Sequence, residues 1–268
     1  MEDLSNKKIH PRNTTNDLSG SEWKYSTMSV IDKIFPLDFQ HKLRSEHGGQ
    51  KPPKLCEQLI KFFTKENQLV LDPFAGVGGT LIGASISNRK AIGIDLNSRW
   101  KDIYKKVCEL EKIKEQTFMV GDSIDVLDKL DEEFDLILTD VPYWNMDKLK
   151  SNRNKKSTRQ SKLSKFNDNK EESLDDWLNN MKNILEKSIF KLKEKGYLVI
   201  FIGDLYRNKN FYPLSSYLML KIMEIKGIQL KSDIIWVDKS KSLHIFGYPF
   251  SYVPSLIHQH ILVFKKEK

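Results

Sequence analysis

The chain has 268 residues with 44 Lys or Arg against 36 Asp or Glu, a formal net charge of +8. Its two cysteines exclude a disulfide scaffold and a four-cysteine zinc site. No apolar run approaches the roughly 20 residues of a membrane span and the polar start carries no secretory signal, so a cytoplasmic protein with no membrane partner is expected. The basic excess suits a polyanionic partner, because Lys and Arg release the counterions condensed on phosphates.

Residues 1–45 are polar with isolated aromatics (Trp23, Tyr25, Phe35, Phe39) and read as an N-terminal extension with partial helix. Residues 46–268 read as one domain. Apolar residues at helical spacing predict a helix at 55–63. The short buried strand LVLD (69–72), a Gly-rich turn and a helix at 81–88 follow, then the buried strand AIGID (91–95) within 90–97. Next come a helix at 98–113, a strand at 117–122, a helix at 123–130 and a strand at 133–140. Residues 146–173 are rich in Lys, Arg, Ser and Asn and read as a mobile basic loop. An amphipathic helix at 174–193, a strand at 196–204 and a helix at 213–227 restore the alternation. Strands at 230–237 and 258–266 lack a helix between them and predict an antiparallel pair at one edge. The alternation as a whole predicts an α/β, Rossmann-like, doubly wound and mostly parallel sheet.

The chemistry concentrates at strand ends. In DPFAGVGGT (72–80), Gly76 and Gly78 allow a tight strand-to-helix turn whose amides face a ligand. Asp95 ends the next strand, where an acid either accepts hydrogen bonds from ribose hydroxyls or caps the following helix. Asp122, after the third strand, either receives an adenine amino group or caps a helix. DVPY (140–143) ends the fourth strand, at the carboxyl edge where open α/β sheets bind ligands. An exocyclic nucleobase amine is a poor nucleophile, since its lone pair is delocalised into the ring. The Asp140 carboxylate and the Val141 carbonyl can each accept one of its N–H groups and free that lone pair for attack on a methyl group. Tyr143 offers a stacking face, and Pro142 holds Val141 extended. No metal is required.

DPFAGVGGT together with DVPYW resembles the S-adenosylmethionine-dependent DNA amino-methyltransferases, which methylate adenine N6 or cytosine N4; their DPPY-type motif stands here as DVPY. HGGQKPPKL (47–55) resembles the segment that holds the methionine end of the cofactor in that family. The resemblance spans 47–266. It implies the class I methyltransferase fold, a seven-stranded sheet with an antiparallel edge strand, so that 46–268 is the methyltransferase domain. It also implies S-adenosylmethionine as donor, double-stranded DNA as partner and a flipped target base. Carried over, His47, Lys51, Pro52, Asp72, Phe74, Gly76, Gly78, Thr80, Asp95 and Asp122 bind cofactor. Asp140, Val141, Pro142 and Tyr143 hold the base, with adenine N6 slightly favoured.

The family usually has Pro where this chain has Val141. Recognition is expected from the N-terminal extension, the basic loop and 238–255, or from a partner subunit; a homodimer is the other assembly considered. Lys148, Lys150, Arg153, Lys155, Lys156 and Arg159 are expected to contact DNA phosphates. The enzyme would serve restriction–modification or act as a solitary modification enzyme. The alternatives are an RNA guanine-N2 methyltransferase and a catalytically impaired DNA-binding subunit. His258 and His260 share a strand face without an evident third ligand, so no metal site is expected. Trp177 and Trp236 read as core residues, and Trp144 as a wall of the base pocket.

Overall fold

The computed structural model describes residues 8–144 and 172–267. The first elements are α1 (Gly20–Ser26), β1 (Val30–Ile31), α2 (His41–Arg44) and α3 (Pro53–Phe63). Then come β2 (Leu69–Asp72), α4 (Gly79–Ile86), β3 (Lys90–Asp95), α5 (Ser98–Glu111), β4 (Thr117–Val120), α6 (Ser123–Leu127) and β5 (Phe134–Asp140). Beyond residue 171 lie α7 (Leu174–Phe190), β6 (Leu192–Ile202), β7 (Leu205–Arg207), β8 (Asn210–Tyr212), α8 (Leu214–Met223), β9 (Ile228–Val237) and β10 (His258–Lys266).

Local chemistry sets the helix ends. Pro53 opens α3 at the first helical position, where its missing N–H costs nothing. Asn97 caps α5 by accepting from Arg99 N, and Ser173 caps α7 by accepting from Asp176 N. Leu55, Cys56, Leu59, Ile60 and Phe63 form the buried stripe of α3. That helix crosses α4 closely because residue 83 is Gly: an added Cβ would lie 2.8 Å from Cys56 Cβ and 2.9 Å from Glu57 N.

The main sheet has eight strands in the order β1-β9-β10-β6-β5-β2-β3-β4. α3, α4 and α5 pack on one face and α6, α7 and α8 on the other, which gives two apolar clusters and the doubly wound class expected. From β2 the chain steps outward to β3 and β4, then returns to place β5 on the other side of β2. The β2/β5 junction is therefore the topological switch point, where such sheets bind ligands. The Gly-rich turn leaves β2 there, and DVPY leaves β5.

Two expectations about the sheet are corrected. It has eight strands, because Val30 and Ile31 pair in parallel with Ile235 and Trp236. The antiparallel strand is not at the edge: β10 lies between β6 and β9, antiparallel to both. The N-terminal segment covers the outer side of β9 and so becomes the edge. It is also fastened elsewhere, with Asn16 Nδ2 donating to Phe62 O (2.6 Å) and Asp17 Oδ2 accepting from Glu66 N (2.7 Å). α7 ends at Phe190 rather than 193, and β6 takes up the following residues. The β7–β8 hairpin has no counterpart in the sequence reading. Its turn residues Asn208 and Lys209 both have positive φ (50° and 64°), a hairpin geometry that an Asn–Lys pair signals poorly.

Gly83→Val is expected to force α3 and α4 apart and to lower the unfolding free energy by about 1–3 kcal/mol. Urea unfolding followed by circular dichroism reads this directly; an unchanged midpoint would mean that the helices do not meet at this residue.

Candidate active site

The carboxyl ends of β2, β3 and β5 bring Asp72, Asp95 and Asp140 to one edge of the sheet. The turn after β2 holds Gly76 (φ 49°) and Gly78 (φ 75°) in the left-handed region. At Gly78 an added Cβ would lie 2.3 Å from Tyr104 Cδ2, so both backbone and space demand glycine. Gly76 N donates to Asp95 Oδ2 (2.9 Å), and Asn97 N donates to Asp95 Oδ1 (2.9 Å). Asp95 thus ties the turn to the end of β3, and burial raises its carboxyl above the ordinary value.

Asp72 is buried and accepts from the Thr139 hydroxyl (2.6 Å) and from Phe74 N (3.1 Å). Burial pushes its carboxyl up to about 6 despite these donors. Thr80 is buried on the first turn of α4 and donates to Leu138 O (3.3 Å).

The segment at 47–52 straps across this turn. Arg44 is almost fully buried, and its guanidinium donates to Lys51 O (2.5 Å); burial lowers its pKa to about 10. The His47 ring lies over Gly76, where an added Cβ would stand 3.0 Å from Nε2, and meets Trp100 edge-on at 4.9 Å. Burial, then the charges of Lys51 and Arg44, hold His47 down at about 4, so the ring is neutral at physiological pH. The Lys51 ammonium contacts Asp140 Oδ2 and lies 5.5 Å from the Phe201 ring centroid and 5.9 Å from that of Tyr143.

DVPY is held from two sides. The Val141 side chain is buried in the apolar cluster beneath α7, and Trp177 Nε1 donates to Pro142 O (2.9 Å). Tyr143 packs against Gly203, where an added Cβ would lie 3.1 Å from Tyr143 Cε2. Asp140 Oδ1 and the Tyr143 hydroxyl are buried without a hydrogen-bond partner among the described residues. Burial raises the Asp140 carboxyl, and the Lys51 charge pulls it back. Burial, reinforced by the facing Asp140 charge, raises the Tyr143 hydroxyl well above its ordinary value.

One cavity collects much of the expected set. His47, Lys51, Asp72, Phe74, Gly76 and Thr80 line it together with Asp140 and Phe201. Pro52, Gly78, Asp95 and Asp122 do not line it, and of the expected base-holding residues Asp140 does while Val141, Pro142 and Tyr143 do not. Pro52 stands at the start of α3, Gly78 and Asp95 shape the turn from behind, and Asp122 caps α6 through Ile124 N (2.8 Å). Trp144 turns toward β8, meeting the Tyr212 ring at 5.0 Å and donating to Glu172 O (2.9 Å). The basic residues Lys148, Lys150, Arg153, Lys155, Lys156 and Arg159 lie outside the described residues.

Three features of the site are not evident from the sequence. Arg44 shows no signal, since a lone Arg in a polar segment reads as surface. Trp177 does more than pack, because its indole N–H braces the tetrapeptide. His258 and His260 do have a third polar neighbour, contrary to expectation: Asp204, just beyond β6, completes a group whose potential ligand atoms lie within 4.8 Å of one another. Residues that far apart in sequence meet only through the β6–β10 pairing.

A doubly wound sheet with a Gly-rich turn and an acidic tetrapeptide at its switch point defines the class I, Rossmann-like methyltransferases, which use S-adenosylmethionine. The DNA methylase family model matches residues 3–106 and 134–268, and the chain belongs to that family.

Curated relatives agree over shorter stretches. The type II methyltransferase M.HindIII of Haemophilus influenzae is 52% identical over 52 residues, covering 19% of this chain and 17% of that protein. M2.DpnII of Streptococcus pneumoniae is 40% identical over 70 residues, 26% of each. A tRNA (guanine(10)-N2)-dimethyltransferase of Methanothermobacter thermautotrophicus is 30% identical over 118 residues, 43% of this chain and 34% of that one. The matched stretches thus span about a third or less of these relatives. Among solved structures, TrmN from Thermus thermophilus superposes with a TM-score of 0.54 at 14% identity, over 87% of this chain and 54% of that one, which is a likeness of fold.

Two outcomes follow from the geometry. Trp177→Phe keeps the ring but orphans Pro142 O; it is expected to cost about 0.5–1.5 kcal/mol of stability and to lower the methyl-transfer rate without weakening cofactor binding. Unchanged turnover in a steady-state assay would show that the brace does not position the tetrapeptide. The second concerns pH. With a folded-state pKa of about 6 against an ordinary 3.8, Asp72 holds its proton more tightly in the folded state. It therefore costs stability above pH 6, a cost relieved as pH falls through 6 toward 4. Asp72→Asn should melt at a higher temperature than the native chain at pH 7–8, with the gap closing toward pH 4. Parallel melting curves across that range would refute the assignment.

Proposed function

We propose that the protein transfers a methyl group to the exocyclic amine of a base in double-stranded DNA, with adenine N6 favoured over cytosine N4. The observation that carries this reading is Asp140 Oδ1, a buried carboxylate oxygen that no donor reaches in good hydrogen-bond geometry among the described residues and that faces the Tyr143 hydroxyl. An unsatisfied buried acceptor costs free energy unless a ligand donates to it. A base amine meets that need.

Lys51 has a role in this scheme. Burial alone would favour a protonated Asp140, which could not accept from an amine through that oxygen. The Lys51 ammonium on Oδ2 favours the ionised form and leaves Oδ1 for the substrate. The buried Val141 side chain and the Trp177–Pro142 bond together do what a second proline would do, holding the Val141 backbone in one orientation. This supports an active enzyme over an impaired subunit.

The cavity's lining supports a cofactor reading. Its floor is the Gly-rich turn, overlaid at Gly76 by the neutral His47 ring. His47, Phe74, Gly76 and Thr80 would line the cofactor, with Asp95 holding the turn that they flank. S-adenosylmethionine supplies the electrophilic methyl group. Tyr143 presents a ring face for the base to stack on, backed by Gly203.

The 238–257 segment supports a nucleic-acid partner. It leaves the carboxyl edge of β9 and exposes Ile245, Tyr248, Phe250 and Tyr252, each at least 80% exposed. Exposed aromatics such as these three rings stack on bases, and an apolar side chain such as that of Ile245 inserts between them. Lys241 on the same segment is close enough to Asp140 for their charges to interact. The tRNA relatives, which match over longer stretches than M.HindIII, support transfer RNA guanine N2 as a second reading.

Asp140→Ala is expected to lower methyl transfer by about 10²–10³-fold or more, with cofactor affinity near that of the native chain. Labelled S-adenosylmethionine offered with duplex DNA or transfer RNA, followed by nucleoside mass analysis, identifies the product. N6-methyladenosine in its deoxy form is the expected result. Label in transfer RNA alone would replace the DNA reading, and full activity in Asp140→Ala would remove the catalytic assignment.

A further inference from the structure

We propose that Asp204, His258 and His260 form a binding site for one divalent transition-metal ion of the zinc type. His258 and His260 stand two apart on β10 and so point to one face of the sheet, the face on which Leu262 and Phe264 pack against α7 and α8. His260 pairs in register with Ile202 on β6, and Asp204 follows two residues later. The three side chains are half-buried, with potential ligand atoms within 4.8 Å of one another. His260 Nε2 and Asp204 Oδ2 already face each other at 3.6 Å. Ligand atoms around a tetrahedral zinc ion with bonds of about 2.0–2.1 Å stand roughly 3.3–3.5 Å apart, so small side-chain rotations close the site.

The outer supports are an independent observation. His260 Nδ1 is held by Asp233 (2.9 Å to Oδ2), which aims Nε2 inward. Asp204 Oδ1 accepts from Ser215 N (3.0 Å) and from the Ser215 hydroxyl (2.7 Å), which aims Oδ2 inward. Metal-binding histidines and carboxylates carry such partners on their far side, where these fix tautomer and orientation. Two imidazoles and one carboxylate make a borderline donor set suited to zinc, with a fourth position left for water. Bound there, the ion would tie the end of β6, the start of β10 and the first turn of α8 together, one residue beyond the Gly203 that backs Tyr143. The rival account is a proton: a charged His260 bridging Asp204 and Asp233 joins β10 to the end of β6 and to β9.

The full chain, stripped with a chelator and dialysed, is titrated calorimetrically with zinc chloride alone. One equivalent with a dissociation constant in the micromolar range or below is expected, together with a raised melting temperature. Cobalt chloride should give visible ligand-field bands. His258→Ala should abolish saturable binding. His258→Phe, which keeps a ring in place, should do the same if the alanine variant folds poorly. Asp233→Asn should weaken binding by about 10–100-fold with the far-ultraviolet circular dichroism unchanged. No saturable heat and no cobalt ligand-field bands would leave the proton-held bridge as the account of this group, and undiminished binding in both His258 variants would put the metal elsewhere; either overturns the proposal. Since no methyl transfer is read, the outcome is independent of the reading of the active site.

Discussion

The Thr139 hydroxyl donating to Asp72 across the β2/β5 junction is the contact around which the site is arranged. It lies at the point where the sheet reverses its winding, one residue before Asp140 on β5 and at the last residue of β2. Because β2 and β5 are parallel neighbours, both loops leave on the same side. A Gly-rich turn and the acid that opens the tetrapeptide, far apart in sequence, therefore line one cavity. The donor does not fully offset the cost of burying a carboxylate there, as the raised pKa of Asp72 records. Strain of this kind is retained where the surrounding structure over-determines it.

The electrostatics of the edge follow from that crowding. Burial raises both the Asp72 and the Asp140 carboxyls, and the nearby Asp140 charge raises Asp72 further. Lys51 is the counterweight, and the buried Arg44 holds the backbone that carries it. His47 is neutral for the same reason: two cations and little water leave no room for a third charge. The strap at 47–52 thus acts on both halves of the site, covering the Gly-rich turn with His47 and neutralising the tetrapeptide with Lys51.

The opposite end of the carboxyl edge has a different character. β9 and β10 are joined by a segment that exposes aromatic residues, and the chain carries a net charge of +8. Exposed aromatics beside basic groups suit unstacked bases and phosphates better than a protein core. Between this segment and the tetrapeptide lies the Asp204–His258–His260 group, braced by Asp233 and by the start of α8.

Periodicity and turn residues by themselves determined the α/β class, most element positions and the two loops that carry chemistry, because helix and strand periods and glycine's backbone freedom are local properties. The tetrapeptide and the turn were legible for the same reason: DVPY and the glycines of 76 and 78 are constrained by what their own backbone must do. Tertiary structure alone decided the rest. Two residues, Val30 and Ile31, are too short a run to announce a strand, and only the open side of β9 made them one. Asp95 and Asp122 look alike in sequence, yet one holds the turn and the other caps a helix, because β3 borders β2 and β4 does not. Arg44, Trp177 and Asp204 act through partners on other elements, and such contacts leave no periodic trace along the chain.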